Sequence, residues 1–170
     1  MTAGFNPAGN HFVIMNNLRA NNVAVFDVSD RNDPRNWKRQ TFVRDQEWQG
    51  EYPSPFHLCF SLDGKYCFFS VLHPKPGKSD VVVVDTSTWT IVKKMKGIGA
   101  DCQTSHITYD GKYVLQIFSG FQRLEAGVFV YQQQPPFDPV GYMPNFGGHH
   151  DCVVVPSRVE ELKWSRCCTV

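Results

Sequence analysis

The sequence is short of the features that would place it quickly. It has no excess of either charge: 17 Lys and Arg balance 16 Asp and Glu, a net +1 with both signs scattered, so no nucleic acid partner or anionic membrane surface is expected. It has no long apolar run; stretches such as Val81–Val84 are far too short to cross a bilayer, and no membrane span is expected. The opening residues, "MTAGFNPAGN", contain no basic region followed by an apolar core, so a cytoplasmic setting is expected. Cys-x-x-Cys, His-Glu-x-x-His and haem-attachment motifs are all missing. No cofactor is therefore expected, and the motifs name none. Six cysteines are present, at 59, 67, 102, 152, 167 and 168, but 170 residues can build a core without disulfides, and they are read as reduced thiols.

What is present is a repeat. "FSLDGKYCFFS" at 60–70 returns as "ITYDGKYVLQI" at 107–117. Gly64 and Gly111 stand 47 residues apart, and so do Val81 of "VVVVDTSTW" and Val128 of "VFVYQQQPP". A third copy precedes them. "FNPAGNHFVIM" (5–15) offers the same turn ahead of an apolar strand, and "VAVFDVSD" (23–30) matches "VVVVDTST"; the spacing is longer because of a polar insertion, "RDQEWQGEYPSP" (44–55). A fourth copy starts at "GGHHDCVVVPS" (147–157).

Each copy consists of short runs of Val, Ile, Phe and Tyr bounded by Gly, Pro, Asn and Asp, which is the signal for antiparallel strands joined by tight turns. The second copy predicts strands at 56–61, 65–72, 80–86 and 89–95; the third predicts 103–109, 112–118, 127–132 and 140–143. The Asp-Gly turns join strands one and two, with glycine supplying a positive φ, and "DTSTW" joins strands three and four. Four short strands every forty to fifty residues is the period of a β-propeller blade.

"FSLDGKYCFF" followed by "SDVVVVDTSTWTIVKKM" resembles the YVTN-type repeat, related to the haem-bearing propeller of nitrite reductases and to bacterial surface and lactonase-type propellers. No Trp-Asp closes the third strand, since Asp85 is followed by Thr and Asp27 by Val, so the WD-repeat pattern fits less well. The fold class expected is an all-β, incomplete propeller of four-stranded antiparallel blades. The partial propeller would fill 1–157, with blades near 1–47, 48–96 and 97–144 and the start of a fourth at 147–157, about three to three and a half blades. Residues 158–170 form a non-repeat tail. Closure takes about four to eight blades. The chain is thus expected either to be a fragment of a longer propeller or to self-associate through its open edges.

Ligands of propellers usually meet one mouth of the central channel, built from the loops between strands two and three and the loops entering strand one. Innermost strands begin with histidine: His57, His106, and the pair His149 and His150. Converging imidazoles act as general acid or base near neutral pH, or bind a metal, and His57, His106 and His150 are the residues that would do so. Asp151 completes the catalytic candidates. Trp48, Glu51, Tyr52, Asp101, Phe121, Arg123, Phe146 and His149 are the candidate pocket residues on the same loops. Against this stands a purely structural role, in which histidines hydrogen-bond a neighbouring blade and aromatic residues cap the core. The functional expectation is a small-molecule-binding, enzymatic propeller. The resemblance implies lactonase, cyclase or isomerase, or redox chemistry. The alternatives are a non-enzymatic scaffold for a protein partner, and a fragment without activity of its own.

Overall fold

The computed structural model describes residues 3–16, 22–30, 33–48, 53–72, 79–99, 102–118 and 127–144. The expected fourth copy at 147–157 and the tail at 158–170 lie outside them.

Among the described residues, twelve strands form three four-stranded antiparallel sheets. The first comprises β1 (Ala3–Phe5), β2 (His11–Asn16), β3 (Asn22–Asp27) and β4 (Lys38–Val43), with one 3-10 turn at Pro34–Asn36. The second comprises β5 (Ser54–Phe60), β6 (Tyr66–Leu72), β7 (Ser79–Asp85) and β8 (Thr90–Gly99). The third comprises β9 (Cys102–Ile107), β10 (Tyr113–Phe118), β11 (Gly127–Gln132) and β12 (Pro139–Pro144). Within each sheet, strands pair in chain order. β9 packs against β5 and β6, and β5 against β1, β2 and β3, so the first strand of each sheet lies at the inner edge of the stack. This is the meander of propeller blades, and the described residues supply three of them.

The repeated turn has one mechanism. Gly64 and Gly111 sit at φ 72° and 68°, left-handed backbone that other residues reach only at a cost. Asp63 accepts from the Lys65 N–H (3.1 Å) and the Ser61 hydroxyl (2.7 Å), while Ser61 Oγ accepts from the Tyr66 N–H (2.9 Å). Asp110, Lys112, Thr108 and Tyr113 repeat the same contacts at 3.1, 2.8 and 3.0 Å. In the first sheet, Asn6 Oδ1 does this work alone, accepting from the N–H groups of Asn10 and His11. The third-to-fourth strand turn is similarly shared. Asp85 accepts from the Ser87 hydroxyl and N–H, as Asp27 does from Ser29. These local bonds explain why so short a motif specifies a hairpin wherever it occurs.

Period-two alternation makes each sheet two-faced. Val13, Met15, Val23, Val25 and Val43 of the first sheet meet Leu58, Phe60, Phe69, Val82 and Val84 of the second. The opposite face of the second sheet, with Cys59, Phe68, Val81 and Val83, meets Ile107, Val114 and Tyr131 of the third. The core is therefore two seams between sheets. Part of the polar insertion is built into the first: Trp48 is buried there, while Lys94 pairs with Asp45 and Lys96 with Glu47 at 2.6 Å, tying the connection to β8.

Candidate functional site

β5 runs towards the Asp63–Gly64 turn, so its early residues lie at the end of the blade remote from that turn. His57 is the middle residue of β5, partly buried, and its Nδ1 accepts a hydrogen bond from the Ser105 backbone N–H of β9 (3.3 Å). The His57 N–H donates to Ser70 Oγ on β6 at 3.0 Å. Ser105 Oγ donates to Gln116 Oε1, and Gln116, itself fully buried, donates through Nε2 to the Thr104 carbonyl (2.6 Å). His106, 4% exposed, brings its ring centroid to 6.5 Å from that of His57, tilted by 38°. A polar layer thus crosses the second seam, where neighbouring levels are apolar.

The two histidines reach one another from positions that do not correspond in the repeat. His57 pairs with Ser70 and His106 with Leu115. Counted from the shared turn, His57 corresponds to Thr104 and His106 to Cys59. A register shift between Pro55 and His57 accompanies the difference. The reading of histidines at matching strand starts is therefore corrected to a pair staggered by two residues, which keeps the strand parity of the pair.

In a neutral imidazole whose Nδ1 accepts, the proton lies on Nε2, making that atom a donor. The arrangement can therefore offer a hydrogen bond to a carbonyl or carboxylate oxygen beside a second imidazole.

Among the other expected site residues, Trp48 is a core residue of the first seam rather than a pocket wall. His150, Asp151, Glu51, Tyr52, Asp101, Phe121, Arg123, Phe146 and His149 lie outside the described residues. Among the described residues, no three of His, Cys, Asp and Glu converge on a point that would hold a metal. Cys59 and Cys67 are buried thiols outside any disulfide, and burial pushes Cys67 well above the usual thiol range, which favours the protonated form. An open cleft lined by Asp27, Ser29, Asp30, Asn36 and Lys38 lies on the first sheet, but its carboxylates are engaged: Asp27 by Ser29 and Asp30 by Asn36. Ser105 and Gln116 were not singled out by sequence reasoning. The signal was a glutamine inside "YVLQIF", where the aligned "YCFFSV" has Phe69.

No family model matches the sequence, and neither does any curated protein. Solved structures do match. A gluconolactonase of the Pseudomonas aeruginosa periplasm superposes with a TM-score of 0.65 at 15% identity, over 88% of this chain and 40% of that one. The likeness is one of fold. A Bacteroides uniformis protein assigned as a 6-phosphogluconolactonase gives 0.61 at 18% identity, over 85% and 41%. Hydrazine synthase from Kuenenia stuttgartiensis gives 0.64 at 17%, over 84% and 36%. The chain spans well under half the length of each of these structures, and its fold is that of a partial β-propeller. Among the described residues no helix is long and apolar enough to cross a membrane.

Proposed function

We propose that the chain contributes the inner-strand site of a small-molecule-binding propeller, with hydrolysis of a sugar-acid lactone as its reaction class. The observation that carries this reading is the His57–His106 pair at 6.5 Å, with His57 oriented by a backbone N–H from the adjacent sheet. Its Nε2–H would donate to the lactone carbonyl oxygen. His106 would take the proton from a water whose oxygen attacks the carbonyl carbon. The acyl C–O bond of the ring then breaks, and the ring oxygen receives a proton to give the hydroxy acid. The lactonase folds among the solved structures support the choice of class.

The test is hydrolysis of gluconolactone by the purified chain, followed by acid release above the spontaneous rate. His57→Gln and His106→Gln should each lower kcat/KM at least about 100-fold, the usual worth of a positioned acid or base, with the circular dichroism spectrum unchanged. Unaltered turnover in both variants would remove the histidine pair from the chemistry. An unmodified chain that opens no lactone would remove the reaction class.

A further inference from the structure

The two seams are built from the same repeat positions, and those positions recur on the two outermost faces of the stack. In the first seam the second sheet presents Phe60, Cys67 and Val84 in one pleat row and Leu58, Phe69 and Val82 in the next. The corresponding rows on the rear of the first sheet are Phe5, Phe12 and Phe26, then Ala3, Ile14 and Ala24, paired in the same way, with Phe42 of β4 beside Ala24. Phe5 and Phe12 stack at 4.7 Å with Trp37 against both, and Arg39 and Arg44 lie over the Phe42 ring. Phe5 is 45% exposed, and Phe12, Ile14, Phe26 and Phe42 are partly exposed; only Ala24 is already buried.

At the other end, the front face of the second sheet presents Phe68, Val81, Val83 and Met95 to the third. The third sheet repeats those positions as Leu115, Val128, Val130 and Met143. Val128 is buried, Leu115 and Val130 are partly exposed, and Met143 is 39% exposed. The molecule therefore carries the rear half of one seam on its first sheet and the front half on its third. Among the described residues they do not meet: the second sheet stands between them, and the three described sheets fall short of the four that the smallest ring takes.

We propose that these two faces dock between two copies of the chain, head to tail, closing a ring by two identical seams. Twofold pairing of unlike faces satisfies both at once, the six described sheets of two copies fall within the range that propellers close, and each contact continues an interface already present twice in the fold. This goes beyond the proposed function and stands whether or not the histidine pair is catalytic.

Light scattering coupled to size exclusion tests it on the full chain. The expected species has twice the chain mass of 19.4 kDa. Phe5→Asp and Met143→Asp change exposed side chains, so both should fold, as circular dichroism would verify. Each places a charge in both seams of its own dimer and should weaken association at least about 100-fold, leaving monomers. Mixing the two variants pairs an intact rear face with an intact front face, so the dimer should return through one seam. A monomeric unmodified chain would overturn the proposal, and further sheets of a longer protein would then be the occupants of these faces. A Met143→Asp variant that stays dimeric by itself would overturn the head-to-tail arrangement, and a polydisperse ladder would overturn closure.

Discussion

His57 Nδ1 accepts the backbone N–H of Ser105 across the seam between the second and third sheets, at 3.3 Å. A side chain from one sheet thus satisfies the main chain of the next, on the inner strand, where the two sheets are closest. The bond fixes the ring orientation and its tautomer together. Long-range proton–nitrogen NMR of the chain near neutral pH should show the His57 proton on Nε2. His57→Phe keeps much of the ring volume but removes the acceptor, and should cost about 1–3 kcal/mol in chemical denaturation.

Gln116 occupies a core position that is Phe69 in the second sheet, and it ties Ser105 Oγ to the Thr104 carbonyl. Gln116→Leu removes both bonds within a fully buried site and should destabilise the chain by roughly 1–3 kcal/mol. If the layer also orients His57, the variant should lower kcat on any substrate the site turns over more than it raises KM. A purely structural role would move stability alone.

The architecture was legible because the turn chemistry is local. Asp-Gly-Lys-Tyr carries its own hydrogen-bond acceptors and its own left-handed residue, so two copies 47 residues apart announce two hairpins, and alternation supplies the strands. The site was legible only in part. His57 and His106 are visible as residue types, but strand starts align them falsely, and the turns are the true origin of the repeat. Measured from Ser61 and Thr108, His57 is four residues upstream and His106 two. Trp48 stands in a polar stretch that reads as a surface loop, yet its ring is in the core; the Lys94–Asp45 and Lys96–Glu47 pairs, distant in sequence, hold that stretch against β8.

Gly64 tests the turn in isolation. A Cβ there would meet nothing closer than Pro7 Cδ at 3.5 Å, an ordinary contact, so the cost of Gly64→Ala is the backbone conformation itself, about 1–2 kcal/mol. Gly111→Ala should cost more. It has the same φ, and its Cβ would lie 2.7 Å from Leu62 Cδ1 of the adjacent turn, which must move aside. Thermal melts of the two variants should rank them in that order, and equal losses would show that the Leu62 side chain yields freely.

Acid should unpick the turns together. Hydrogen bonds from Ser29 and Ser87 hold Asp27 and Asp85 below the usual carboxylate range. The Lys112 N–H and the Thr108 hydroxyl do the same for Asp110. At Asp63, burial is the largest influence and pushes the other way, but the bonds from Ser61 and the Lys65 N–H outweigh it. A carboxyl with a lower pKa folded than unfolded adds stability that is fully present above the unfolded value, near 3.8, and fades as pH falls through the folded value. The melting temperature should therefore hold steady from neutral pH to about 5, then drop below 4. Asp63→Asn with Asp110→Asn should be less stable at neutral pH and show a shallower acid slope. A double variant with the slope of the unmodified chain would place the acid-sensitive groups outside these turns.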